Sequence, residues 1–372
     1  MTSMQQSIQH HLFGSARPED LLPGLALALA LTVGAHILSA GAGWLLAGHT
    51  NPFSPILMAI LLGLLVRNTL GLSPRALPGV AYGIKKVLRF GIVLMGIRLS
   101  VWSVLRIGAA AVGMIVVCIS AALALTVFLA RKVGISGKLG ALIAAGTSIC
   151  GVSAIVATAP AIDADEAETA YAIGTVTLFG TLATLVYPYA AQLLLGLGTA
   201  QAGFFLGTAI HDTSQVTAAA LIYDQLWAGQ TPLGLSGADI AITTKLVRNT
   251  FLIAVIPFLG WRFGCRGEQA SGGLMKHVPL FVLGYVLMGI LRTAGDGLFG
   301  SGSAGWTLTW TSIQQLGTWA IAVAIASVGL NTDLRRLIRL GVRPIGVGLA
   351  AALAVGAISV LLVTVFSSSL VF

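Results

Sequence analysis

The chain has 372 residues, of which 56% are hydrophobic and 9% charged, with a formal net charge of +9 and a mean hydropathy of +0.94. No water-soluble fold can cover that much apolar surface, so a soluble enzyme or binding module is excluded and a polytopic membrane protein is expected. The basic surplus calls for no nucleic-acid partner, because Lys and Arg collect in the cytoplasmic loops of membrane proteins.

In chain order, apolar stretches of roughly 17–25 residues recur, each long enough to cross a ~30 Å hydrocarbon core at ~1.5 Å per residue. They predict spans at 22–40, 53–71, 82–100, 104–130, 139–160, 168–196, 201–222, 238–261, 277–294, 312–330 and 344–366. The expected fold is therefore an all-α polytopic membrane protein of about 11 transmembrane helices. A short cytoplasmic tail, 1–20, precedes a single transmembrane transporter domain, 21–372. LALALALTV followed by ILSAGAG has some features of a secretory signal, but the segment before it sets one Arg against Glu19 and Asp20. That is a weak basic region, so the first span is kept as part of the mature protein. The connections near 223–237 and 295–311 read as polar, Gly-rich loops.

With the N-terminus in the cytoplasm, sixteen of the 21 Lys and Arg fall on one side, among them Arg75, Lys138, Arg262 and Arg335. Three, Arg98, Arg106 and Arg292, fall on the other, which supports an N-in, C-out orientation. The acidic run DADEAE, 163–168, lies on the outer side. Cys118, Cys150 and Cys265 are too few and scattered for a disulfide frame or a metal site.

Two internal echoes stand out. GTSICGVSAIVATA, 146–159, aligns without gaps on GTAIHDTSQVTAAA, 207–220, so that Gly146, Thr147, Ile149, Ser153 and Ala157 match Gly207, Thr208, Ile210, Ser214 and Ala218. Both segments are rich in Gly, Ser and Thr, which loosen a helix and leave free backbone groups at membrane depth, where each needs a partner or a water-lined cavity. They are expected to be interrupted helices that form two halves of a substrate site. The second echo joins MGIRLSVWSVLRIG, 95–108, to VGLNTDLRRLIRLG, 328–341, with Gly96 on Gly329 and Arg106 on Arg339. The copies end spans on opposite sides, the pattern of an inverted-repeat secondary-transporter architecture with interrupted helices.

Taken together, GTSICGVSAIVATAPAI, the HDTSQV segment, the Lys245-x-x-Arg248 pair and GLNTDLRRL near the C-terminus resemble the YeiH-like sulfate exporter family of bacterial inner-membrane proteins. The resemblance covers roughly 55–366. It implies a multi-pass protein of the cell inner membrane, distantly similar to bile acid symporters and sodium/proton antiporters, that exports sulfate or a sulfonate.

The residues themselves favour an anion as cargo. Lys245 and Arg248 lie three apart, on one face of the eighth span, and a basic residue at that depth costs about 2.5–3.5 kcal/mol unless it is compensated. Asp212 is the acid placed well inside a span, so it is expected to pair with one base and leave the other for a small anionic substrate. Thr147, Ser148, Ser153, Ser214 and Gln215 would add hydroxyl or amide donors, and N–H groups freed near Gly151 or Gly207 would add more. If these groups served structure alone, they would form a buried ion network. His211 titrates near neutral pH and would couple proton movement, or else sit satisfied in the interior. Cys150 occupies the matching position in the first segment and reads as packing. Asn331 and Asp333 follow Gly329 at a span end, where they would cap the helix or gate substrate.

An enzyme is not expected, since HExxH, GxSxG, a Walker A loop and GxGD are all missing from the sequence. His211, Asp212 and Ser214 cannot form a triad alone, because neighbours on one helix point in different directions. The runner-up is a cation/proton antiporter with Asp212 as carrier, and a passive channel ranks below it. No cofactor or metal is expected. The expected partners are the lipid bilayer, an anionic substrate and a coupling H+ or Na+, with homo-oligomer formation left open.

Overall fold

The computed structural model describes residues 17–45, 53–227, 231, 234–264, 280–335 and 342–366, and every regular element among them is helical. The helices are α1 Pro18–Leu45, α2 Pro55–Thr69, α3 Leu77–Tyr82, α4 Leu88–Met95, α5 Val101–Val133, α6 Gly137–Ser148, α7 Val152–Thr158 and α8 Glu166–Tyr189. They continue with α9 Thr199–Ala209, α10 Thr213–Trp227, α11 Gly237–Thr250, α12 Leu252–Phe263, α13 Leu280–Phe299, α14 Ala304–Asn331 and α15 Val342–Val365. A π-helical turn, Gly83–Val87, joins α3 to α4, and another, Ala190–Leu194, extends α8.

Among the described residues, each span predicted from sequence falls mainly on helix, residues 277–279 lying outside them. Among the described residues, six helices are long and apolar enough to cross a membrane unaided, and the pair α11–α12, bent by 42°, makes a seventh if taken as one span. The predicted loop at 295–311 is instead largely helical, because α13 runs on to Phe299 and α14 starts at Ala304. Polar groups there satisfy one another: Arg292 Nε donates to both Asp296 oxygens at 2.9 Å, and Trp306 Nε1 donates to Asp296 Oδ1 at 2.7 Å. Likewise α10 runs to Trp227, beyond the predicted span end at 222.

The chain condenses into two compact units, one formed by residues 1–98 and 284–334, the other by 99–283 and 335–372. In the first, small residues let backbones approach: a Cβ added at Gly63 would lie 2.9 Å from Gly329 Cα, so α2 and α14 meet almost backbone to backbone. That is how helices associate in lipid, where no hydrophobic force drives them together. Ala28, Ala35, Ala59, Val80, Ala326 and Leu330 form the core around this contact. At the helix ends Asn68 Nδ2 donates to Thr332 O at 3.0 Å while its Oδ1 accepts from Leu334 N at 2.8 Å, and Arg67 pairs with Asp333 at 3.4 Å.

The second unit holds the interrupted helices. Its centre is α11, buried from Gly237 to Asn249 except at Val247. The sequences 95–108 and 328–341 both lie at helix ends, although Arg339 and Gly341 fall outside the described residues, as do Cys265 and most of the tail 1–20.

Candidate functional site

The two halves of the first echo break in the same register. Helix α6 stops at Ser148 and α7 resumes at Val152, while α9 stops at Ala209 and α10 resumes at Thr213, which are equivalent positions of the ungapped alignment. The first break turns on Gly151, whose φ of 67° and ψ of −126° belong to glycine. A Cβ there would lie 3.0 Å from Asp212 Oδ2 and 3.3 Å from Asp212 Cα, so the two breaks touch.

A helix that stops inside a protein leaves its last carbonyls without intrahelical donors, at the negative end of its dipole. Here Lys245 and Arg248 supply the donors. Lys245 Nζ donates to Ile149 O at 2.5 Å, to Ile210 O at 2.9 Å and to His211 O. Arg248 Nε donates to Ser148 O at 2.7 Å, Nη2 to Thr147 O at 2.7 Å, and Nη1 to Thr208 O at 2.6 Å and Ile210 O at 3.4 Å. The pairs Ile149 and Ile210, and Thr147 and Thr208, are equivalent in the alignment, so each base bridges matching carbonyls of the two halves. Both side chains are 0% exposed.

This arrangement corrects the expected pairing. Asp212 forms no ion pair with either base; its Oδ1 accepts instead from Ser214 N at 2.8 Å and Ser214 Oγ at 2.5 Å, at the positive first turn of α10. Backbone carbonyls, rather than a carboxylate, compensate the bases. The expected hydroxyl donors are also engaged elsewhere: Thr147 Oγ1 bonds to Ile143 O at 2.8 Å and Ser148 Oγ to Ala145 O at 3.3 Å, both within α6. Their carbonyls, not their hydroxyls, enter the site. Gln215 accepts from Asp212 N at 3.3 Å and donates to Thr177 O and Thr181 Oγ1, tying the second break to α8. Ser153 is exposed on α7, and Cys150 is a buried free thiol.

His211 is 1% exposed, and neither ring nitrogen has a hydrogen-bond partner. The Thr147 carbonyl interacts with the ring but lies outside hydrogen-bonding geometry. Asn331 belongs to a different part of the chain. It is the exposed last residue of α14, in the other unit, and Asp333 is held by Arg67.

Asn249 was missed from the sequence. Its Nδ2 donates to Thr213 Oγ1 at 3.2 Å, tying α11 to the start of α10, and its Oδ1 is buried without a partner. Its place four residues after Lys245, on the same helix face, was the available signal.

Fold and site together define a multi-pass helical membrane protein built around paired helix breaks. Residues 23–348 match the family described as "Conserved hypothetical protein 698", and the chain belongs to it. Similar proteins include a UPF0324 membrane protein of Fusobacterium nucleatum, 30% identical over 83% of this chain and 89% of that protein. One from Streptococcus pneumoniae serotype 4 is 33% identical over 80% and 85%, and one from Streptococcus mutans is 32% identical over 88% and 92%.

Proposed function

We propose that this protein is a secondary active transporter of a bacterial inner membrane that exports a small anion, of the sulfate or sulfonate kind, by alternating access. The carrying observation is the charge of the buried cluster, in which Lys245 and Arg248 stand against the single carboxylate of Asp212. The two helix C-termini and two N-termini at the breaks offset one another, so the cluster keeps a net positive charge although both bases are hydrogen-bonded, and an anion is favoured there. Interrupted helices meeting at a shared point are the usual substrate site of such carriers. The motifs shared with the YeiH-like exporters support the same substrate class. In this reading the shorter and broken helices complete eleven spans with inverted-repeat organisation, and the N-terminus is cytoplasmic.

The test begins with thermal shift of the purified protein against sulfate, sulfite, taurine, small carboxylates and Na+. Flux in proteoliposomes is then compared for Lys245→Gln, Arg248→Gln and Asp212→Asn. An anion carrier loses binding in either base variant, while Asp212→Asn keeps it or gains. Because both bases also hold the fold, Lys245→Arg and Arg248→Lys serve as charge-retaining controls. Wild-type anion binding in both Gln variants would end the proposal.

A cation/proton exchanger is the second reading. It is favoured by Asp212 being only half-buried, with Oδ2 accepting no hydrogen bond among the described residues. It predicts the reverse order, with transport abolished in Asp212→Asn. Orientation is checked separately by placing single cysteines at Arg75, Lys138, Arg262 and Arg335. Labelling of any two from outside intact cells by an impermeant reagent overturns the N-in assignment.

A further inference from the structure

We propose that Lys245 is a tethered monovalent cation: its ammonium fills an oxygen cage, made by carbonyls of both helix breaks, that would otherwise hold Na+ or a similar ion.

The cage oxygens come from Ile149, Ile210 and His211, two chain segments some sixty residues apart in sequence. All three are main-chain carbonyls at the negative ends of interrupted helices, the groups that coordinate the coupling ion in cation-driven carriers. Hard monovalent and divalent cations take such all-oxygen sets. Three acceptors also match the three N–H bonds of an ammonium, whereas a neutral amine has only two, so the geometry calls for the charged form. The nearest carboxylate, Asp212, is not part of the cage, because its bonded oxygen is held by Ser214. The apolar stem is buried along with the head, so the cation is fixed to α11 and cannot leave as a free ion does. The inference concerns ion dependence and does not rest on the anion reading. A carrier built this way keeps its two breaks together without Na+, so no alkali ion is needed to stabilise the wild-type chain.

The experiment measures thermal stability of the full chain in detergent, at constant ionic strength, with choline replaced stepwise by Li+, Na+, K+ or n-propylammonium, the fragment missing from Lys245→Ala. Wild type is expected to unfold at the same temperature in every salt. Lys245→Ala is expected to lose about 5 °C or more in choline and to recover saturably with propylammonium or an alkali ion. Lys132→Ala, at an exposed lysine of α5, should do neither. Full stability of Lys245→Ala in choline, or no recovery with any cation, overturns the proposal. If that variant does not accumulate, wild type decides: a saturable rise in its unfolding temperature with Na+ overturns the proposal, and its absence supports it. Absence of anion binding and flux in wild type, with these stability effects present, would count against the transport reading alone and leave this proposal standing.

Discussion

The two units treat the same problem, backbone polarity in an apolar medium, in opposite ways. Around Gly63 and Gly329 the helices are continuous, and contact comes from removing side chains. Around Ile149 and Ile210 the helices stop, and two long basic side chains close the gaps. The first solution needs only small residues. The second leaves unsatisfied groups such as His211 and Asn249 Oδ1 beside a surplus of charge, which is where a ligand or water can be held.

The largest effect should follow from Arg248→Ala, which strands the carbonyls of Thr147, Ser148 and Thr208 and removes a buried cation. A loss of about 3–5 kcal/mol is expected, read as a fall in unfolding temperature and yield, with Arg248→Lys intermediate. Near-native stability would mean the breaks do not depend on their donors. In the continuous unit, Gly63→Val should cost about 1–3 kcal/mol or more, since the new methyls meet the Gly329 backbone. A silent outcome would show that α2 and α14 can separate freely. Gly151→Ala should cost about 1–3 kcal/mol through its left-handed backbone, and should disturb substrate binding as Cβ presses on Asp212. Gly134, also at a positive φ, at the end of α5 with open space around it, gives the control: Gly134→Ala is expected to lose stability but leave binding unchanged. The smallest effect is Asn68→Ala, about 1 kcal/mol from the bonds to Thr332 and Leu334, without change in ligand response. If Asn68→Ala altered ligand response as strongly as Gly151→Ala, the division of labour drawn here would fail.

Composition and apolar run length determined by themselves that this chain is a helical membrane protein, and the spans they predict fall mainly on helix among the described residues. The echo of 146–159 in 207–220 located both interruptions in register, because Gly, Ser and Thr weaken a helix wherever it lies. Side-chain letters also marked Lys245 and Arg248 as buried charges in need of partners. Who those partners are was decided only in three dimensions. Main-chain carbonyls are present at every residue and leave no trace in the sequence, so a charge count assigned Asp212 to a base. The local bonds from Ser214 and the positive end of α10 hold it instead. Polar composition at 295–311 likewise suggested a loop, until Arg292, Asp296 and Trp306 satisfied one another and let the helices extend. The sequence sets which groups must be compensated; the tertiary structure chooses the partner, because that choice depends on which backbone ends are brought within about 3 Å.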